Sequence, residues 1–242
     1  MSVYACSDLH GHLDLYNQIA NFLKPEDTVY FLGDAGDRGP QPWETIKEIY
    51  KNKQFIYLKG NHEDMFVRAA KEYLYDGFWG YDYQLLCFNG GEETLNGWLN
   101  EDLKGDWIAA INNLPVRAQY TNKNGTTFIM THAGFTPKEN TSPLLEELLW
   151  DREHFYDKWP EGKDNIVILH GHTPKPSLYK KLNELHEFKY GEALPEPNDG
   201  IYKYCDGHKI CLDDCTIRSG RALLYNLDTL ETHIFEVRGE VK

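Results

Sequence analysis

The residues in this chain best suited to chemistry are Asp, His and Asn gathered in short loops rich in glycine. The loops are Ser7-Asp8-Leu9-His10-Gly11, Gly33-Asp34-Ala35-Gly36-Asp37-Arg38-Gly39, Gly60-Asn61-His62-Glu63, Thr131-His132-Ala133-Gly134 and Gly171-His172-Thr173. Taken alone, Asp8 and His10 read as a turn with a helix cap, since Asp commonly precedes helices. The combination reads differently. Each loop carries a hard oxygen or imidazole donor, and most have a glycine that lets the backbone bend tightly, so the set points to a metal centre. Mixed Asp, Asn and His donors suit Mn2+, Fe or Zn2+ better than Ca2+ or Mg2+, which favour oxygen ligands. So many ligands imply two ions. A pair of cations roughly 3.5–4 Å apart would lower the pKa of a shared water and stabilise charge as a phosphoryl group is displaced.

Each loop ends a short apolar, β-branched or aromatic run: Val3–Cys6, Thr28–Leu32, Gln54–Leu58, Thr126–Met130 and Asn165–Leu169. Such runs read as buried strands, and their carboxyl ends are where α/β sheets place ligands. Amphipathic stretches at Leu13–Leu23 and Trp43–Lys51 read as helices, followed by a helical insertion over about 63–114. Late in the chain Lys209–Leu212, Ala222–Asn226 and Thr232–Val237 follow one another closely, which predicts antiparallel strands in a second sheet. The expectation is an α/β fold in one domain over 1–242, a layered β-sandwich flanked by helices with the active site at the strand carboxyl ends. The Pro- and Gly-bearing stretch 175–204 reads as an elaborated loop or small cap.

Composition narrows the function class. With 41% hydrophobic and 26% charged residues the chain is that of an ordinary globular protein, and a net charge of −13 disfavours coating nucleic acid. A phosphate substrate stays open, because bound cations and a few arginines can reverse the field in one cleft. No run approaches the roughly 18 apolar residues of a membrane span, and no basic-then-apolar leader precedes Val3, so a cytoplasmic protein is expected. The five cysteines, Cys6, Cys87, Cys205, Cys211 and Cys215, read as free thiols. No Gly-x-x-x-x-Gly-Lys-Ser/Thr phosphate loop occurs, so P-loop nucleotide hydrolysis loses support. Oligomeric state is not encoded in any pattern here.

The ordered loops resemble the metallophosphoesterases, and within them the phosphoprotein phosphatase family that includes bacterial and phage Ser/Thr phosphatases. The resemblance spans nearly the whole chain. It rests on Gly-Asp-x-His-Gly (here with Ser7 for the first Gly), Gly-Asp-x-x-Asp-Arg-Gly, Gly-Asn-His-Glu, His-Ala-Gly and a late Gly-His. It implies a calcineurin-like fold, Asp8 and His10 on one metal, Asn61, His132 and His172 on the other, and Asp34 bridging. Two divalent ions are implied, Mn2+ first, with Fe or Zn2+ as alternatives. In His170-Gly171-His172 the bacterial Gly-His-Thr pattern selects His172, leaving His170 to support or packing.

By the same resemblance His62 would be the general acid oriented by Asp37, and Arg38 and Arg152 would bind the substrate phosphate. The turn Asn89-Gly90-Gly91 with Thr94-Leu95 also resembles bacterial members, without an assigned role. Around Asp213-Asp214-Cys215, relatives carry Asp-Thr-Gly, and Arg218 reads equally as a selector of anionic groups or as a solvated side chain. The implied activity is hydrolysis of phosphomonoesters, first that of a Ser/Thr protein phosphatase acting on a phosphorylated protein or a small phosphate ester. The alternative is a dinucleoside polyphosphate hydrolase, favoured by Gly39-Pro40, or a phosphodiesterase; Glu63 after Gly-Asn-His leans to the protein phosphatases. A non-catalytic scaffold is the least supported, since every expected position is filled.

Overall fold

Alternating short apolar runs and amphipathic stretches give, in chain order, β1 (Val3–Cys6), α1 (Leu13–Phe22), β2 (Thr28–Phe31), α2 (Pro42–Lys51) and β3 (Phe55–Tyr57). Four helices follow, α3 (Asn61–Lys71), α4 (Tyr81–Phe88), α5 (Glu92–Leu99) and α6 (Lys104–Asn112), with a π-helical turn at Glu72–Asp76 between the first two. The second half runs β4 (Arg117–Thr121), β5 (Thr127–Thr131), α7 (Leu145–Trp150), β6 (Ile166–His170), α8 (Lys175–Tyr190), β7 (Tyr202–Tyr204), β8 (Lys209–Cys211), α9 (Thr216–Ser219), β9 (Arg221–Asn226) and β10 (Thr232–Glu236). The structure, a computed structural model, describes residues 1–78, 80–138, 141–197 and 200–237.

The strands form two mixed sheets, β10-β9-β1-β2-β3 and β4-β5-β6-β8-β7. In the first, β1, β2 and β3 are parallel; in the second, β5, β6 and β8 are parallel. Side chains alternate across β1, so Val3 and Ala5 join Phe128, Met130, Leu169 and Ile210 in the core between the sheets. Tyr4 and Cys6 face the opposite way, into the core under α1 and α2 and the helical insertion, where Trp43, Phe66 and Trp98 are buried. The chain is therefore an α/β fold of two mixed sheets flanked by helices.

Three readings of the sequence change. The last strands do not make a second sheet together: β8 runs parallel to β6 in the second sheet, while β9 and β10 return antiparallel to the first, beside β1. The stretch 175–204 opens with the 16-residue helix α8. Two of its Pro and Gly residues mark the ends of this helix: Pro176 lies in the first turn, where its missing N–H is not needed, and Gly191 caps the C-terminus at φ 76°. Strands β4 and β7 escape the apolar pattern because they lie at sheet edges, and β4 has no buried position.

Under α7 and the 3-10 turn His154–Tyr156, the second sheet buries Lys209 at 0% exposure. Its Nζ donates to Thr136 Oγ1 at 2.7 Å and to the His154 carbonyl.

Candidate metal centre

All six parallel strands open at one edge, and each is followed by a loop with a potential ligand. β1 leads to Asp8 and His10, β2 to Asp34 and Asp37, β3 to Asn61 and His62, β5 to His132, β6 to His172 and β8 to Asp213. Asp213 is the addition that sequence reasoning missed, because β8 was expected to be antiparallel; as a strand parallel to β6 it delivers its carboxyl end to the same edge. The first two loops are joined along their backbones, His10 N–H to the Asp34 carbonyl at 3.0 Å and Gly11 N–H to that of Ala35 at 2.7 Å.

This edge is built from unusual backbone. Asp8, His10, Asp34, Asp37, Arg38 and His172 all have positive φ, between 42° and 66°. Non-glycine residues enter that region at a cost and collect at functional sites when the surroundings hold them there. Gly171 makes the close approach of the sheets feasible: a Cβ on it would collide with the Asp8 carboxylate and the Ser7 hydroxyl.

Asp34 lies at the middle of the cluster. Its Oδ2 is 3.8 Å from His10 Nε2, 3.8 Å from His62 Nε2 and 3.3 Å from His132 Nε2. It is the shared member of two buried groups whose ligand atoms lie within 4.8 Å of one another, His10–Asp34–His62 and Asp8–Asp34–His132. Asn61 Oδ1 approaches His132 Nε2 at 2.8 Å and His172 Nδ1 at 2.9 Å. The His172 backbone N–H reaches both Asp8 oxygens at 3.2 Å, and Ser7 Oγ donates to the same carboxylate. The six residues expected to ligate metal are thus brought together, four from the first sheet's loops, Asp8, His10, Asp34 and Asn61, and two from the second, His132 and His172.

The donor chemistry fits divalent cations. His10 Nδ1 pairs with the Gly36 carbonyl at 3.1 Å and His132 Nδ1 with the Leu32 carbonyl at 2.8 Å, so each ring carries its proton there and turns the Nε2 lone pair inward. His132 Nε2 then confronts Asn61 Oδ1 and Asp34 Oδ2, acceptor against acceptor. Such a contact is relieved by a second proton on His132 or by a cation among the three atoms. The field has the same sense: burial would lower the His132 pKa, yet Asp34, Asp8 and Glu63 outweigh it and raise it to about 10. Burial and the neighbouring carboxylates of Asp213 and Asp34 push Asp8 well above the usual carboxylate range, and Asp213 is raised to about 6, chiefly by burial. Three buried carboxyls, Asp8, Asp34 and Asp213, converge there; burial would raise Asp34 too, but His132, His62 and His10 outweigh it and hold Asp34 well below the usual range.

Beside this cluster His62 Nδ1 meets Asp37 Oδ2 at 2.5 Å, and Thr94 Oγ1 donates to the other Asp37 oxygen. Burial would lower the His62 pKa, but Asp34 and Asp37 outweigh it and the net shift is upward. The Arg38 guanidinium lies between two imidazoles, NH1 3.0 Å from His10 Nε2 and NH2 2.9 Å from His62 Nε2. The turn that had no assigned role holds it: Asn89 O accepts from Arg38 Nε at 3.2 Å and Gly90 O from Arg38 N at 2.8 Å. Arg152 joins through Thr173 Oγ1, 3.1 Å from its Nε, one residue after His172.

Glu63 supports the centre from beneath, accepting the backbone N–H groups of Asp34, Ala35 and Gly60 at 2.8–2.9 Å and the Tyr57 hydroxyl at 2.6 Å. His170 turns away, with Nδ1 on the Gly171 carbonyl and Nε2 on the Tyr204 hydroxyl, and burial lowers its pKa to about 4. Arg218 is exposed on α9. Among the described residues no cysteine belongs to a candidate metal group.

A family model described as calcineurin-like phosphoesterase matches residues 1–210. The chain is 25% identical over 181 residues to the symmetrical bis(5'-nucleosyl)-tetraphosphatase of Chromobacterium violaceum, covering 72% of this chain and 57% of that protein. It is also 25% identical over 190 residues to the protein of the same name from Nitrosococcus oceani, covering 72% and 58%. The chain thus spans less than two thirds of the length of these curated relatives. Among solved structures, one described as a candidate diadenosine tetraphosphatase superposes with a TM-score of 0.60 at 14% identity, covering 98% of this chain and 94% of that one, a likeness of fold.

Proposed function

The chain belongs to the calcineurin-like phosphoesterases, and on that premise we propose that it hydrolyses a nucleoside polyphosphate, with dinucleoside polyphosphates as the substrate class. The observation that carries a metal-dependent phosphoryl hydrolase is Asp34, shared between two ligand clusters, with Arg38 between His10 and His62. The dinucleoside substrate is supported by the relatives named symmetrical bis(5'-nucleosyl)-tetraphosphatase, and it takes the place of the Ser/Thr phosphoprotein that the motifs first suggested.

Asp8, His10, Asp34, Asn61, His132 and His172 would hold two divalent cations, Mn2+, Fe or Zn2+. When bound, the pair would supply an acidified water as nucleophile and neutralise charge on the phosphoryl oxygens. The chain's own residues do the rest. Arg38 presents NH1 and NH2 side by side, a fork matched to two phosphate oxygens, and Arg152 adds a second guanidinium. A phosphate taken up by Arg38 frees His62 Nε2, which can then carry a proton, because Asp37 on Nδ1 stabilises the imidazolium. His62 delivers that proton to the departing oxygen.

The test is a set of parallel assays with Mn2+ on diadenosine tetraphosphate, a phosphoserine peptide and bis-p-nitrophenyl phosphate. The expected result is a kcat/KM at least tenfold higher on diadenosine tetraphosphate. Preference for the peptide would restore the protein phosphatase, and preference for the diester would make the protein a phosphodiesterase.

A further inference from the structure

Helix α4 ends against the phosphate-binding arginine and carries aromatic side chains on its solvent face. Among its residues only Leu86 is buried. Tyr81, Gln84 and Phe88 are exposed and fall at i, i+3 and i+7, one face of a helix, with Tyr81 at 71% and Phe88 at 90% exposure. Single exposed aromatics are unremarkable on a protein surface. Phe88 is set apart by position: the next two carbonyls, of Asn89 and Gly90, accept the Nε and the backbone N–H of Arg38. The Gly90 backbone also lies against the Arg38 stem, where an added Cβ would come to 2.9 Å from Cγ. Phe88 is therefore fixed one residue step, about 3.8 Å between Cα atoms, from a carbonyl that positions the guanidinium.

We propose that Phe88, which directly precedes the turn that holds Arg38, is a base-stacking platform, selecting a nucleoside phosphate over the same phosphate without a base. The inference rests on the nucleotide reading above and names the residue that recognises the nucleoside. A chain of net charge −13 repels polyanions except where Arg38, Arg152 and metal ions gather, and those groups act on any phosphate alike. Discrimination needs a contact that phosphate cannot make. Stacking on an aromatic ring is such a contact, tolerant of base identity and strong enough that its loss costs affinity several-fold to a hundredfold. The π-helical turn and Gly77, in left-handed backbone at φ 74°, separate α4 from α3, and Arg68 of α3 pairs with Asp82 of α4, which fixes α4 against the helix that begins with Asn61 and His62.

Binding of ADP, ribose 5-diphosphate and inorganic phosphate to the Mn2+-loaded protein, measured by calorimetry, tests this without turnover. ADP is expected to bind the unmodified protein more tightly than ribose 5-diphosphate, which is the same molecule without its base. Phe88→Ala is expected to weaken ADP about tenfold and to leave the other two unchanged, while Phe88→Trp restores ADP. Phe188→Ala, which removes an aromatic of 89% exposure on α8, is the control expected to change nothing. Equal affinity of the unmodified protein for ADP and ribose 5-diphosphate, no ADP binding, or equal weakening of all three ligands by Phe88→Ala overturns the platform. So does weakening of a phosphoserine peptide with ADP unaffected, which would assign Phe88 to a peptide side chain. ADP binding that depends on Phe88, without hydrolysis of diadenosine tetraphosphate, would overturn the substrate reading and leave the platform standing.

Discussion

Glu63 Oε2 accepts the backbone N–H of Asp34 at 2.8 Å, so the carboxylate facing both ligand clusters is held at its main chain by a second buried carboxyl. The same group binds Ala35 N–H, Gly60 N–H and the Tyr57 hydroxyl, which leaves it no free lone pair for a metal. Glu63→Gln replaces an acceptor oxygen with an amide donor facing donors. The expected loss is about 2–4 kcal/mol of stability with weaker metal binding, read from urea unfolding and Mn2+ titration. Unchanged stability would show that the four contacts contribute nothing.

Asp34 is expected to be the ligand whose loss costs most. Asp34→Asn should lower metal stoichiometry and turnover together, whereas Asp14→Asn, altering the face of α1 beside His12, should change neither. Elemental analysis alongside turnover decides it, and full stoichiometry with normal rates in Asp34→Asn would remove Asp34 from the centre.

Arg38→Ala removes a cation that lies on two imidazoles, one of them an expected ligand. Metal should remain bound, and inhibition by inorganic phosphate should weaken about 10- to 100-fold. Loss of metal with phosphate affinity intact would reverse the role given to Arg38.

His62→Asn separates proton donation from ligation, since Nδ1 is occupied by Asp37 and only Nε2 is available to a leaving group. Hydrolysis of a phosphoserine peptide, whose alkoxide departs poorly, should slow about 100- to 10,000-fold. An aryl phosphate or a phosphoanhydride, with a leaving group that needs little protonation, should suffer much less. Equal losses across the substrates, or a missing metal, would make His62 a ligand or a positioning residue.

Burial lowers the Lys209 pKa from 10.5 to about 8. Between those values the unfolded chain binds more protons than the folded one, so stability rises with pH. The burden is fully present below pH 8 and fades towards pH 10.5. Urea midpoints of the unmodified protein, taken relative to Lys209→Met, should therefore rise across that window. A difference independent of pH would mean that Lys209 keeps its ordinary pKa in the fold.

The five early strands and the ligand loops were readable because buried strands are short apolar runs and metal-binding loops concentrate rare residue types. Asp213 was not, since an acidic residue after Leu212 gains meaning only once β8 is known to run parallel to β6. The hold of Asn89 and Gly90 on Arg38 was equally hidden: carbonyl contacts 51 residues apart leave no mark on side-chain identity. Strand β4 was missed because Arg117, Gln119 and Thr121 present polar side chains on an edge. Helix α8 does not stand out within the loop or small cap read over 175–204, because Pro176 and Gly191 at its ends are residue types that also break helices.

The loops that meet at the centre come from two sheets that, among the described residues, exchange no strand hydrogen bonds. His132 and His172 are brought from the second sheet to Asn61 and Asp8 of the first, and His132 Nδ1 bonds the carbonyl of Leu32, where β2 ends. A cation held there would rivet one sheet to the other. Its free energy of binding would then add to the resistance of the sandwich against prying apart, and chelation would loosen the protein along that seam before any helix unwinds.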